Sequence, residues 1–258
     1  TYVAEGSREQ VLGYARKTPY LVVTGATVHT VFTPERPAVS ELQLEMGVRV
    51  PVLADWPANR HVNGQHPYTS YVIELPVRTA TGGLELVPAL LPRTADVASD
   101  YLPLTPAGLL RQSFKFLGER YGWGHGYHGR DCSGFVSEVY RSFGVDLPRN
   151  TGDQAVTPVL NRITFTDADH RDRRLAVLQQ AQVGDLVFIP GHAMMVIGHY
   201  RGVPYVIHDT TGPSYLGADG TLVRLALNGV SVTPLPPLMA SPEVSFVDRI
   251  TSIQRIRP

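Results

Sequence analysis

The spacing of apolar residues changes twice along this chain of 258 residues, and these changes limit the folds that it can adopt. From Tyr20 to Leu91, short β-branched runs such as YLVVTGATVHTVF and SYVIELPV are separated by proline, glycine and asparagine. Strands at this spacing are typical of a small sandwich or barrel. The prolines at positions 34, 37, 51, 57, 67, 76 and 88 favour edge strands and turns. We therefore expect a small β domain over residues 20–91.

Near residue 105 the pattern becomes helical. Thr105 is placed to cap a helix that starts at Pro106, since proline fits the first helical position. A second helix is predicted within RDCSGFVSEVYRSFG, residues 130–144, because its apolar residues recur at intervals of three and four. Apolar β runs return from Gly184 onward. Helices followed by strands predict an α+β fold in which the helices pack on an antiparallel sheet.

These changes divide the chain into four predicted segments. Residues 1–19 contain a short helix capped by Ser7, residues 20–91 form the β domain, residues 92–105 form a linker, and residues 106–258 form the α+β domain.

Composition narrows the classes of partner. Lys and Arg together number 23, as do Asp and Glu, and no basic cluster is present, so nucleic acid is not an expected partner. No apolar run approaches the roughly 18 residues needed to span a membrane, so we expect no transmembrane segment. The chain begins with Thr1, so we expect that its natural N-terminus is missing and that the lack of a leader has no meaning. We expect a monomer.

The only cysteine, Cys132, opens the second predicted helix. A helix start favours the thiolate, and the preceding glycine-rich segment YGWGHGYHG lets a substrate approach closely. These features indicate a nucleophile with a lowered pKa; the alternatives are a buried structural thiol and a metal ligand. The spacing of His125, His128 and Cys132 is compatible with zinc. Only one thiol is present, however, and no CxxC or HExxH motif accompanies it, so we predict neither a metal nor a cofactor.

A cysteine nucleophile needs a base and a group that orients the base. His192 begins the apolar run HAMMVIGHY and His208 lies near the end of VPYVIHD, and YRGVP between them is typical of a hairpin. Neighbouring antiparallel strands would place the two imidazoles side by side. His199 and Asp209 lie at odd offsets from these residues, so strand alternation directs them to the other face.

Four blocks of sequence occur in an informative order. They are Tyr-x-Trp-Gly at residues 121–124, Asp-Cys-Ser-Gly-Phe at 131–135, Leu-Pro-Arg-x-x-x-x-Gln at 147–154, and Gly-Asp-Leu-x-Phe at 184–188 with Gly-His downstream at 191–192. Together they resemble the NlpC/P60 family of cell-wall peptidases, over residues 107–210. The resemblance implies a reduced papain-like fold. It also implies cleavage of peptidoglycan stem peptides, most often between γ-D-glutamate and a diamino acid, either meso-diaminopimelate or lysine.

The resemblance implies roles for individual residues. Cys132 matches the nucleophile, His192 the general base, and His208 the residue that orients the imidazole. Tyr121 matches a tyrosine beside the nucleophile that contributes to the oxyanion hole, where the Cys132 N–H is a second donor.

Other matched positions line the substrate cleft. Asp131 and Ser133 correspond to cleft residues, and in relatives the aspartate binds the amino end of the substrate. Trp123 and His125 are expected on the cleft wall. The family usually has Trp-Gly-Gly where this chain has Trp-Gly-His, so His125 is expected to alter that wall.

The β region at 20–91 resembles the bacterial SH3-like domains that accompany this family, both in its pattern of short apolar runs and in its position before the α+β domain. In some relatives such a domain forms one wall of the cleft and restricts the enzyme to stem peptides with a free N-terminal L-alanine. Tyr68, Tyr71 and Glu74 are the candidate contacts in this chain. The alternative is a wall-anchoring module remote from the cleft.

The resulting prediction is a cysteine endopeptidase of the γ-D-glutamyl-L-diamino acid type that acts on a stem peptide or muropeptide. We expect it in the periplasm or outside the cell, with cytoplasmic murein recycling as the alternative. Two other functions stay open: an acyltransferase or amidase on the same papain-like core, and a module that binds wall peptides without cutting them.

Overall fold

The computed structural model describes residues 4–158 and 161–256 of the chain. The chain divides into two compact units, with the boundary between Leu102 and Pro103. The first unit consists mainly of short strands, whereas the second consists of helices and a six-stranded sheet. Within the described ranges, no helix is both long enough and apolar enough to cross a membrane.

The first unit begins with a helix and continues as antiparallel strands. Its elements are α1 (Arg8–Ala15), β1 (Tyr20–Val23), β2 (Thr27–His29), a 3-10 helix (Pro37–Val39), β3 (Gln43–Glu45), β4 (Arg49–Pro51), β5 (Ser70–Arg78), β6 (Leu84–Pro92) and β7 (Val97–Ala98). They form a three-stranded sheet in the order β4-β1-β7 and two further pairs, β2–β3 and β5–β6.

One apolar core holds these strands together. Successive side chains of β5 point to opposite faces, so Ile73, Leu75 and Val77 lie on the same face. These three residues share a buried cluster with residues of β1 and β6. This confirms the β character predicted from the sequence. Within residues 4–102, the strand pairing gives three separate sheets rather than a closed barrel, so the SH3-like assignment stays a prediction.

Strand β7 lies inside the segment 92–105, for which the sequence predicts a linker. Val97 pairs with Val23 of β1, and the amide of Gly25 donates a hydrogen bond to the Asp96 carbonyl. Residues whose backbone groups pair in this way belong to the sheet, although the composition of segment 92–105 is typical of a linker. The connection between the two units is therefore shorter than the sequence predicts.

The second unit packs helices on an antiparallel sheet. Its elements are α2 (Pro106–Phe114), a 3-10 segment (Trp123–His128), α3 (Cys132–Arg141), α4 (Thr151–Val156), β8 (Asn161–Thr164), α5 (Arg171–Gln179), β9 (Leu186–Ile189), β10 (His192–Tyr200), β11 (Val203–Thr210), β12 (Ser214–Leu216), β13 (Leu222–Arg224), β14 (Gly229–Pro234), a 3-10 helix (Val247–Arg249) and β15 (Ser252–Arg255). The main sheet has the order β14-β11-β10-β9-β15-β8, and each adjacent pair is antiparallel. This confirms the predicted α+β class.

Helices α2 and α3 begin where the sequence predicts. The Thr105 hydroxyl accepts a hydrogen bond from the Gly108 amide at 3.0 Å and caps α2. Helix α3 buries Phe135, Val136 and Val139 and contacts α2, β10 and β11. Burial of each such side chain stabilises the fold by about 1.5–3 kcal/mol, so α3 is firmly held on the sheet.

A second apolar cluster covers the other face of the sheet. Met194, Val196 and Val206 pack there with Leu178 of α5. Alternation along β10 directs Ala193 to the face covered by α3. The first residues of β10 are therefore fixed from both sides of the sheet.

Candidate active site

Cys132 is the first residue of α3, and its side chain is buried, with 6% of the residue exposed. Asp131 caps this helix by accepting a hydrogen bond from the Gly134 amide at 2.9 Å. The thiol sulfur lies 3.8 Å from Thr151 Oγ1 and 3.9 Å from the carbonyl oxygen of Gly191. Because Gly191 immediately precedes His192, the start of α3 meets the start of β10 at this point.

The two predicted imidazoles are neighbours. His192 opens β10 and His208 lies in β11, and antiparallel pairing of these strands brings the rings together. His192 Nε2 is 2.8 Å from His208 Nδ1, and His208 Nε2 is 3.0 Å from Thr233 Oγ1. Thr233 belongs to β14, the next strand of the sheet. This chain of hydrogen bonds fixes the orientation of both rings.

Burial keeps both imidazoles neutral. It lowers the pKa of His192 to about 4. Burial, followed by the neighbouring His192, holds the pKa of His208 well below its ordinary value. Since a neutral imidazole has one ring nitrogen with a free lone pair, His192 can accept a proton at neutral pH.

The pKa of the Cys132 thiol is raised, so the predicted lowering was wrong. Burial is the main cause, and the stabilising contacts of the thiolate with the Ala193 amide and the Thr151 hydroxyl offset it only in part. The helix start is present, but the neutral His192 provides no positive charge to hold a thiolate. At rest, Cys132 is therefore a thiol and His192 a neutral imidazole.

Alkylation of Cys132 by iodoacetamide should follow this raised pKa. Because the thiolate is the reacting form, we expect the rate to rise through a midpoint above about 8.5, the ordinary value for a cysteine thiol. The pH dependence of the rate, measured against a cysteine-containing peptide, tests this. The chain has one cysteine, so no other thiol contributes. A midpoint below that of the peptide would contradict the expectation.

Tyr121 lies close enough to Cys132 for the charge of the thiolate to affect its pKa. Burial raises the pKa of its hydroxyl, and the negative charges of Cys132, Asp131 and Asp209 add to the increase. The phenol therefore stays protonated and can donate a hydrogen bond. An isolated backbone bridge between Tyr121 and Arg130 closes the base of the loop that leads into α3.

That loop contains two of the predicted cleft residues, Trp123 and His125. Gly122 is required at its start because a Cβ atom there would lie 2.1 Å from the Gly126 carbonyl oxygen. Trp123 is 82% exposed. His125 instead packs against α3, with its ring 3.0 Å from the position that a Cβ on Gly134 would occupy.

Asp131 accepts several hydrogen bonds in addition to the one that caps α3. Its carboxylate accepts from the Gly124 amide at 3.0 Å and from the two terminal nitrogens of Arg149 at 3.0 and 2.7 Å. Burial raises the pKa of Asp131, but these bonds outweigh it and the net pKa is lowered. The Ser133 hydroxyl donates to Asp131 at 3.2 Å and accepts from Arg149 at 2.9 Å. Asp131 and Ser133 thus form one polar group with Arg149.

Three residues of the site were not assigned from the sequence: Arg149, Thr151 and Thr233. Arg149 stands in the Leu-Pro-Arg block, so a motif signal was present, and Thr151 follows two residues later. Nothing in the sequence indicates Thr233. Its contact depends on the register of β14 against β11, in which Ser231 is the residue that pairs with His208.

The remaining predicted site residues belong to the first unit. Tyr68 is 70% exposed, and Tyr71 lies below the guanidinium of Arg93 at 4.8 Å from the ring centre. Glu74 forms an ion pair with Lys17. Their contribution to substrate binding stays a prediction.

The zinc alternative has little geometric support. Among residues 4–158 and 161–256, no three His, Cys, Asp or Glu side chains are grouped so that they could hold a metal ion. One of the three residues considered for zinc, His125, directs its ring nitrogens at Glu138 and Arg149.

Comparison with known proteins agrees with this geometry. Residues 118–216 match the model of the NlpC/P60 family. The chain contains an NlpC/P60 domain. The matched segment includes Tyr121, Cys132, His192 and His208.

Among the similar sequences, a probable endopeptidase p60 of Listeria welshimeri is 35% identical over 96 residues, which are 36% of this chain and 16% of that protein. A γ-D-glutamyl-L-lysine dipeptidyl-peptidase of Bacillus cereus is 32% identical over 136 residues, which are 51% of this chain and 33% of that protein. This chain therefore aligns with no more than about a third of either relative.

Two solved structures share the fold. An NlpC/P60 endopeptidase from Photobacterium damselae subsp. piscicida superposes with a TM-score of 0.64 at 18% identity, over 89% of this chain and 49% of that one. An NlpC/P60 family protein from Bacillus cereus superposes with a TM-score of 0.57 at 23% identity, over 96% of this chain and 67% of that one.

Proposed function

We propose that this chain is a cysteine endopeptidase that hydrolyses peptidoglycan stem peptides between γ-D-glutamate and a diamino acid. The observation that carries the proposal is the hydrogen-bond chain from His192 through His208 to Thr233. It begins at the residue after Gly191, whose carbonyl oxygen lies 3.9 Å from the Cys132 sulfur. The NlpC/P60 domain and the activities named for the two curated relatives support it. Because peptidoglycan is the wall polymer, we expect the protein to act in the cell envelope.

In the proposed reaction, the Cys132 sulfur attacks the carbonyl carbon of the γ-glutamyl amide. His192 takes the thiol proton on Nδ1 during the attack, because Nε2–H donates to His208 Nδ1. His208 in turn donates from Nε2 to the Thr233 hydroxyl. The Cys132 N–H and the Tyr121 hydroxyl stabilise the negative oxygen of the tetrahedral intermediate.

The proton on His192 then passes to the nitrogen of the diamino acid. The C–N bond breaks, and the acyl group stays on Cys132 as a thioester. A water molecule donates one proton to His192 while its oxygen adds to the carbonyl carbon. The C–S bond breaks, and the proton on His192 returns to the sulfur. The products are a peptide that ends in the γ-carboxylate of D-glutamate and a diamino acid with a free amine.

Asp131 and Ser133 are the proposed binding group for the amino end of the stem peptide. An ammonium at Asp131 would make a charge-assisted hydrogen bond that an amide nitrogen cannot replace in full. The Asp131 carboxylate already binds Arg149, so its negative charge is partly neutralised before the substrate ammonium binds. The preference for a free amine should therefore be moderate.

Rates on two matched substrates test the proposal. We expect the free tripeptide L-alanyl-γ-D-glutamyl-diamino acid to be cleaved roughly 10–100-fold faster than the same peptide joined to muramic acid, because the site rejects a substrate that lacks the charge. Mass spectrometry of the products identifies the bond, with lysine and meso-diaminopimelate tested side by side. Equal rates would show that the amino end is not selected. Absence of cleavage of both substrates by folded protein would contradict the proposed function.

A further inference from the structure

His125 occupies a strained backbone position in the loop before α3. Its φ is +63°, in the left-handed region that favours glycine. Its ring nevertheless packs against the first turn of α3, above Gly134. A bulky side chain that is kept in an unfavourable conformation and is also packed in this way indicates that the side chain itself has a role.

Both ring nitrogens of His125 face polar groups. Nε2 lies 2.9 Å from Glu138 Oε1, while the other oxygen of this carboxylate accepts a hydrogen bond from Arg130 Nε at 2.8 Å. Because a carboxylate only accepts, Nε2 carries the hydrogen and Nδ1 has a free lone pair. That lone pair faces Arg149 Nη2 at 3.3 Å.

The guanidinium of Arg149 is held at both of its terminal nitrogens. Nη1 donates to Asp131 Oδ1 at 3.0 Å and to Ser133 Oγ at 2.9 Å. Nη2 donates to Asp131 Oδ2 at 2.7 Å, and its second hydrogen points to His125 Nδ1. His125 thus adds a fourth acceptor to the three that Asp131 and Ser133 provide for a side chain that is 44% exposed.

We propose that His125 is a positioning residue that keeps Arg149 paired with Asp131 and thereby sets the affinity of the site for the amino end of the stem peptide. This inference rests on the proposed function, because it concerns the subsite in which Asp131 binds that amine. Without His125, Arg149 keeps three of its four hydrogen bonds but is less firmly fixed, so the Asp131 carboxylate that it binds is less well oriented for the substrate amine. Substrate binding weakens, whereas Cys132 and His192, which carry out bond cleavage, keep their places.

The test compares His125→Gly with Tyr127→Gly. Both changes put glycine at a left-handed position of the same loop, since φ of Tyr127 is +57°. Tyr127 is the matched control because its ring contacts the guanidinium of Arg120 instead. We expect His125→Gly to raise KM for the free-amine tripeptide about five-fold, as the loss of one hydrogen bond predicts, with kcat changed by less than about two-fold. Tyr127→Gly should change neither constant.

An Arg149→Ala background shows whether His125 acts through Arg149. If it does, His125→Gly has no further effect on KM there, because the two changes remove the same interaction. Equal five-fold effects in both backgrounds would overturn the inference, as would a rise in KM for Tyr127→Gly. Melting curves establish that each variant is folded.

Direct binding separates this inference from the proposed function. The dipeptide L-alanyl-γ-D-glutamate is titrated into Cys132→Ala protein with and without His125→Gly, so that affinity is measured without turnover. Binding about five-fold weaker with His125→Gly supports the inference. Equal affinity overturns it and leaves the proposed function intact. If Cys132→Ala protein does not bind the dipeptide, the proposed subsite is wrong and the inference falls with it.

Discussion

The Cys132→Ala variant is expected to lose peptide hydrolysis by about 10⁴-fold or more while it keeps its fold, and Cys132→Ser is expected to behave in the same way. Removal of a nucleophile leaves only the contribution of binding and of the oxyanion donors to the rate. We expect the fold to survive because the side chain is small and its hydrogen-bond contacts with Thr151 and Gly191 are long, at 3.8 and 3.9 Å. Product formation from the free tripeptide and a melting curve for each variant are the measurements.

His192→Ala should lower kcat as severely as Cys132→Ala, because without the base the thiol keeps its proton. His208→Ala should be milder by about a hundred-fold, since it removes the group that orients the base and not the base itself. His199→Ala is the matched control, because His199 lies on the same strand β10 and is exposed. Unchanged hydrolysis by Cys132→Ala, or a large loss with His199→Ala, would refute the assignment of nucleophile and base.

Asp209→Asn is expected to make the protein more stable at and above neutral pH. The Asp209 side chain is fully buried, and its two oxygens have no hydrogen-bond partner among the described residues. Burial raises the pKa of Asp209 to about 8; the charges of Glu119 and Asp131 add to this, and Arg130 offsets it only in part. The folded protein therefore keeps a proton that the unfolded chain releases near pH 3.9.

The stability contributed by this proton falls as the pH rises from about 4 to about 8, at up to roughly 1.4 kcal/mol per pH unit. We expect the free energy of unfolding of Asp209→Asn to exceed that of the wild type by an amount that grows by on the order of 4 kcal/mol over this range, because asparagine has no proton to release. Urea unfolding between pH 4 and 9 measures it. Asp146→Asn, the same change at an exposed position, is the control. A difference from wild type that does not depend on pH would show that Asp209 is ionised in the folded protein.

Features set by a few consecutive residues were predictable from the sequence. The Thr105–Pro106 start of α2 and the apolar face of α3 depend on local backbone geometry, and the structure has both. The hairpin between His192 and His208 was predictable for the same reason. The sequence predicts the face of His199 from regular alternation of side chains along β10. That alternation is interrupted before His199, because the pairing register of β10 shifts between Val196 and Gly198.

The sequence by itself determined the α+β class, the place of Cys132 at the start of a helix and the pairing of His192 with His208, because short-range periodicity and turn chemistry specify these features. The tertiary structure alone decided that Thr233 supports His208 and that Arg149 binds Asp131, because these contacts depend on strand register and on packing between segments far apart in the chain. It also decided the raised pKa of the Cys132 thiol. Desolvation depends on every group packed around the sulfur, and no spacing of residues along a sequence specifies that set of neighbours.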